Sequence, residues 1–308
     1  MRLRTVVLTA LAAVLPLQLG CDFESWGGDS ERFKEDFQYS RDLEPGGRVS
    51  LETFNGSVEI ISWEKPYVQI TGTKYAAIED DMKNIKIDVQ GSGGSVQVKA
   101  TRPVRRGNMG ARFVLRVPRE VELERIASSN GSIRVEDIKG NARLETSNGS
   151  VKIRKFDGRL NAHTSNSGIE CFGLDGEAML RSSNGRITIQ DGQGTLEAET
   201  SNSAIQIDMF EPKAGTPVRL TTSNGSIEAT FEQLEADVRA STSNSSITVR
   251  LPSNIKARIR ANTSNGAAQT DFDVDGSIGK HSIEGSVNGG GPLVHLTSSN
   301  GAVRVLKM

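Results

Sequence analysis

Asp271, Asp273 and Asp275, at alternate positions and followed by Gly276, are the residues whose spacing comes nearest to spelling out a chemistry. Convergent carboxylates with glycine at the sixth place describe the opening of a calcium loop. A hard cation gathers several oxygen ligands, and the chain must turn sharply around it. The twelfth place of such a loop supplies a bidentate Glu; here it is Ser282, and no flanking helices are evident. The segment therefore reads as a strand with Phe272 and Val274 inward, the aspartates outward and a turn at Asp275–Gly276. No metal or other cofactor is expected.

Asp157 and Asp175 form a second acidic pair, 18 residues apart in equivalent sequence contexts. β-Helical polysaccharide lyases use such stacked acids, but Lys139 precedes this column and Gln193 follows it, which suits a solvated turn. His163, His281 and His295 fall in unrelated contexts, and no nucleophile–base pairing suggests itself. Hydroxyl columns run through Thr146, Thr164, Thr200, Thr222, Thr242 and Thr263, each next to a serine. Adjacent residues on a strand face opposite sides, so these columns do not make the paired hydroxyl face of an ice-binding solenoid. Phe172 is the one outward aromatic near these columns, and aromatics are only 5% of the chain, which speaks against a sugar-stacking groove. The chain is expected to have no enzymatic activity.

These side chains must be carried by a repeat. Ser-Asn-Gly or Ser-Asn-Ser recurs with Asn130, Asn148, Asn166, Asn184 and Asn202 spaced by 18 residues, then more loosely at Asn224, Asn244, Asn265 and Asn300. A weaker copy is Phe54-Asn55-Gly56. A period near 20 residues marks a solenoid. Within the coil Asn148–Ser165, apolar residues alternate at Val151 and Ile153, recur at Phe156, and alternate again at Leu160 and Ala162. That pattern predicts two half-buried strands per coil of roughly 18–22 residues, with right-handed winding favoured. Gly140, Gly158, Gly176 and Gly194 hold one turn position, where a positive φ calls for glycine.

Two further columns carry detail. The inward pair of the second strand reads Ala142/Leu144, Leu160/Ala162, Ala178/Leu180, Leu196/Ala198, so large and small exchange places in each coil. Coils stacked ~4.8 Å apart would keep core volume constant that way. The asparagines are expected to adopt the left-handed conformation at a sharp turn and to bond to one another as a ladder. Cys171 falls in an Ile/Val column and reads as a small core residue.

The chain begins with Arg2 and Arg4, a short apolar run to Leu19, then Gly20 and Cys21. This describes an export signal with lipid attachment at Cys21, although Gln18 stands where the lipoprotein motif has Leu. Residues 1–20 are thus read as signal peptide, 21–32 as tether and 33–308 as one all-β solenoid domain. Within it, 33–125 are degenerate or capping coils, 126–266 regular coils, and 267–308 an insertion and C-terminal cap whose closing strands lie in 294–308. A formal net charge of −1 gives no footprint for nucleic acid.

The run RVSLETFNGSVEI (Arg48–Ile60), the repeated TSNGSI-like turns and the glycine-rich return into LTSSNGAVRV resemble the bacterial envelope family known as "putative adhesins", of toast-rack or β-solenoid shape. That resemblance implies no catalytic residues. The expected protein is a monomeric, membrane-anchored adhesin or scaffold, on the outer surface or the periplasmic side, whose partner is an envelope protein or polysaccharide. An enzyme acting on a surface polysaccharide and an envelope-stress accessory protein are the alternatives.

Overall fold

The computed structural model describes residues 31–102 and 107–308. The export signal and the Cys21 anchor lie outside the described residues. The N-terminal third comprises β1 (Phe33–Thr53), β2 (Val58–Trp63), β3 (Tyr67–Ala76), a short helix α1 (Glu79–Lys83), β4 (Lys86–Thr101), β5 (Met109–Pro118) and β6 (Glu122–Ser128). Four 14-residue strands follow, β7 (Ile133–Thr146), β8 (Val151–Thr164), β9 (Ile169–Ser182) and β10 (Ile187–Thr200). Next come β11 (Ile205–Pro212), β12 (Val218–Thr222), β13 (Ile227–Phe231), β14 (Val238–Thr242) and β15 (Ile247–Leu251). The chain ends with β16 (Ala257–Thr263), β17 (Ala268–Thr270), β18 (Asp275–Ile278), β19 (Ser282–Val287), β20 (Leu293–Ser298) and β21 (Val303–Lys307).

These strands stack in parallel as two walls of a β-solenoid. The first wall runs β5–β2–β7–β8–β9–β10–β11–β13–β15–β21–β17. The second runs β4–β1–β6–β7–β8–β9–β10–β12–β14–β20–β16. Antiparallel strands finish each end, with β3 and the first half of β1 beyond β5, and β19 and β18 beyond β16.

Each long strand bends between its two halves. Asp137, Lys155, Gly173 and Asp191 occupy one column there, with φ of 57°, 51°, 72° and 53°. This column was not foreseen; its Asp and Gly members suit the left-handed region, but Lys155 carries no such signal. Three residues on, Gly140, Gly158, Gly176 and Gly194 have the positive φ that their spacing predicts (142°, 132°, 133° and 106°). Close stacking is a second reason for glycine: a Cβ on Gly158 would lie 2.1 Å from the carbonyl oxygen of Gly140.

The core follows the apolar columns. Cys171 pairs in register with Ile153 and Ile189 and is 3% exposed. Leu160 lies in register with Ala142 and Ala178, and Ala162 with Leu144 and Leu180, all buried. The threonine column points inward and holds the coils together. The Thr146 hydroxyl donates to the Gly131 carbonyl oxygen at 2.9 Å and accepts from Gly149 N–H at 3.2 Å. Ser182, Thr242 and Thr263 donate to the neighbouring coil in the same way. Buried hydroxyls are thereby satisfied, and none faces solvent as an ice-binding row would.

Side-chain amides form a ladder outside. Each asparagine Nδ2 donates to the Oδ1 of its neighbour, at 2.6–2.9 Å from Asn148 through Asn166, Asn184, Asn202, Asn224 and Asn244. Asn130 donates to Asn55, whose own Nδ2 ends the row on the Met109 carbonyl at 2.9 Å. The conformational reason expected for these residues is wrong. No ladder asparagine has a positive φ; among the described residues the non-glycine residues that do are Asp137, Lys155, Asp191 and Asn288. Amide bonding between coils is what selects Asn at this position.

Both ends depart from chain order. The Asn55 coil (β1–β2) lies between the β4–β5 coil and the Asn130 coil. At the other end Asn300 donates to Asn244 at 2.9 Å, and Asn265 donates to Asn300 at 2.7 Å. Residues 294–308 therefore do not close the stack; β16 to β19 do. The second wall keeps its alternation only in this order, as Leu144, Ala162, Leu180, Ala198, Leu220, Ala240, Leu296, Ala261.

Candidate functional site: the corner groove

The bend between the walls makes a concave feature. Stepping outward at the positive-φ column, the chain leaves a groove of about 550 Å³ across β7 to β11. Asp157, Asp175, Asp191, Asp208 and Glu232 line it, against Lys155 and Arg119 on the basic side. Asp157 and Asp175 are register partners on successive coils, so their carboxylates ride at the coil spacing of ~4.8 Å. Asp137 sits at the lower end, accepting from the Ser62 hydroxyl at 2.9 Å and lying 3.4 Å from Arg119.

Aromatic exposure singles out the same region. Phe210 lines the groove, and Phe172 precedes the lining Gly173 in sequence; each is 46% exposed. Phe172 was expected to stand outward alone. Phe210 was missed because it follows Met209, a buried residue in a strand whose register shifts against β10. Excess carboxylate beside exposed phenyl faces favours cationic or hydroxyl-rich partners and disfavours anionic ones.

Elsewhere the walls are a charge mosaic tied between coils. Lys152 pairs with Glu170 at 3.2 Å, Arg159 with Glu177 at 2.9 Å and Arg181 with Glu197 at 2.8 Å. Burial alone would raise the Glu145 carboxyl, yet hydrogen bonds from Arg143 and Arg125 outweigh it and hold the group below its ordinary value.

The other sequence candidates are dispersed. Phe272 is buried as expected, and the Asp271 carboxylate accepts a hydrogen bond from Lys307 N–H at 3.2 Å. Asp275–Gly276 is not a turn: it pairs with Ser286–Gly285 inside a hairpin that reverses beyond Ile278. The antiparallel pairing of β18 with β19 extends the strand past the glycine. Among the described residues no group of three His, Cys, Asp or Glu side chains is placed to hold a metal ion. His163 lies on β8, the His281 ring nitrogen is 2.6 Å from the Gly266 carbonyl, and His295 projects from β20 near Thr297. Burial pushes the Cys171 thiol up to about 12. Among the described residues no helix is long and apolar enough to cross a membrane.

The family described as Toastrack DUF4097 matches residues 29–305. No curated protein matches the chain. Solved structures that match include a "putative cell adhesion protein" from Clostridium sporogenes, 13% identical, over 89% of this chain and 100% of that one, with a TM-score of 0.22. A "putative adhesin" from Bacteroides fragilis is 12% identical over 89% and 97%, with a TM-score of 0.33. Another "putative adhesin", from Parabacteroides merdae, is 11% identical over 89% and 96%, with a TM-score of 0.40.

Proposed function

This chain belongs to the Toastrack DUF4097 family, and on that premise we propose that it is a non-enzymatic, lipid-anchored solenoid of the bacterial envelope, acting as an adhesin or scaffold. The observation that carries the reading is the contrast between wall and groove. On β8 to β10, charges on the walls pair one coil with the next. The groove instead presents a run of carboxylates and the exposed Phe210 on a regular stack, with exposed Phe172 next in sequence to the lining Gly173. A stiff surface with one chemically distinct strip suits capture of an extended envelope partner, protein or polysaccharide.

The anchor rests on the sequence around Cys21, and burial of acyl chains resists salt. Wild-type protein should fractionate with membranes through a salt wash, and Cys21→Ser should abolish that. Envelope material retained by the folded protein should be lost with Phe172→Ala/Phe210→Ala. Undiminished capture by that variant would refute the groove, and a lipid-free soluble wild type would refute the anchor. A second reading, an enzyme acting on a surface polysaccharide, draws on Asp157 and Asp175 side by side in the groove. Release of new reducing ends from envelope glycan, lost in Asp175→Asn, would favour it.

A further inference from the structure

The last coil of the chain is an insertion. Strand β20 is bonded to β14 on one side and β16 on the other, and β21 lies between β15 and β17. Residues 257–270 thus stand two coils away from β14 and β15, although they follow them directly in sequence. The loop 252–256 passes over a whole coil with no more residues than 213–217, which joins β11 and β12 within one coil, both stacked on β10. Nothing in its length prevents β16 from settling directly on β14.

The two coils are also nearly interchangeable. Ile259, Thr263, Asn265, Gly266 and Ala267 correspond to Val294, Ser298, Asn300, Gly301 and Ala302. They differ in size at several inward places: modestly where Ile259 corresponds to Val294, Thr263 to Ser298 and Ala268 to Val303, and most where Ala261 corresponds to Leu296. Between Ala240 and Ala261, Leu296 fills the space that two small neighbours leave. Ala261 set directly on Ala240 would leave that space empty, a cavity that disfavours the arrangement. The connection to β20 is compact and jointed: Asn288, Gly289 and Gly290 have φ of 51°, 87° and 82°. Glycines there allow the segment to straighten as readily as to turn.

We propose that residues 293–308 are a removable bolt, and that the tip exchanges between the bolted order and one in which residues 257–270 occupy the slot. Burial of Val294, Leu296, Val303 and Val305 and the ladder bonds of β20 and β21 hold the balance toward the bolted order, with Leu296 the largest of the four side chains. In the second order the C-terminal segment is released as an arm, uncovering Val294, Leu296, Val303 and Val305, all buried in the bolted order. Such an alternating strand is suited to add to an open sheet edge. The exchange does not depend on where the protein resides.

Two pairs of outward-facing cysteines test this in the full-length chain carrying Cys21→Ser. Ser241→Cys with Thr297→Cys joins register neighbours and should close promptly on oxidation. Ser241→Cys with Asn262→Cys spans two coil steps, ~9.6 Å, beyond the ~7 Å that a disulfide bridges. It should close slowly, as a monomer, and only through the second order. Adding Leu296→Ala should speed that closure about tenfold or more, because the bolt then leaves its own cavity; Leu296→Met should not. Should Leu296→Ala fail to fold, the unsubstituted Ser241/Asn262 pair decides alone. No closure on prolonged oxidation, while the Ser241/Thr297 pair closes, overturns the proposal, as does failure of the Ser241/Thr297 pair in folded protein.

Discussion

Cys171 shows how far a side chain's role here is set by its column. The sequence places it among isoleucines, and the structure buries it in register with Ile153 and Ile189. Desolvation raises its thiol from 9.0 to about 12. A folded-state value above the unfolded one means that the unfolded chain loses this proton first. The group therefore adds nothing at neutral pH and reduces stability as pH rises from about 9 to about 12. With Cys21→Ser, the native protein should give no thiol signal with a chromogenic disulfide reagent at pH 8 and one per chain after denaturation. Labelling at native rates comparable to the denatured chain would show that the column is not closed. The asparagines are a mixed case: the amide ladder between coils was legible in the sequence, but the left-handed conformation expected beside it is absent.

Packing between coils is decided at the level of the strand. Exchanging Leu160→Ala with Ala162→Leu keeps the composition of β8 yet places Leu on Leu and Ala on Ala against both β7 and β9. Overpacking on one side and cavities on the other should lower unfolding free energy by ~2–4 kcal/mol. A chemical denaturation midpoint equal to wild type would exclude the alternating core. The regular coils were legible because register, apolar period and turn residue all repeat with one spacing. The ends were not, since strand order depends on pairings between residues remote in sequence. One signal was available: Ala240 followed in sequence by Ala261 breaks an alternation that Leu296 restores. The corner column was hidden for a different reason, because Lys155 at φ 51° shows no conformational preference in its identity. The groove it creates assembles from acids on separate coils, so the pair Asp157/Asp175 was visible as a column but not as one wall of a concave strip.

At the scale of the molecule, the alternation of large and small residues gives the stack a parity. A coil is the unit of structure, but the pattern returns to itself only after two coils. Removing residues 148–165 would bring Leu144 against Leu180 and Ala142 against Ala178, whereas removing 148–183 would bring Leu144 against Ala198 and Ala142 against Leu196. The larger deletion should therefore be the milder one, melting above the smaller despite having less core; the reverse ranking in calorimetry would show that parity has no weight. Growth by duplication meets the same rule. Lengthening or shortening this protein without disturbing its interior means adding or losing coils two at a time, so the lengths open to the regular part of the solenoid are all even steps from the present one.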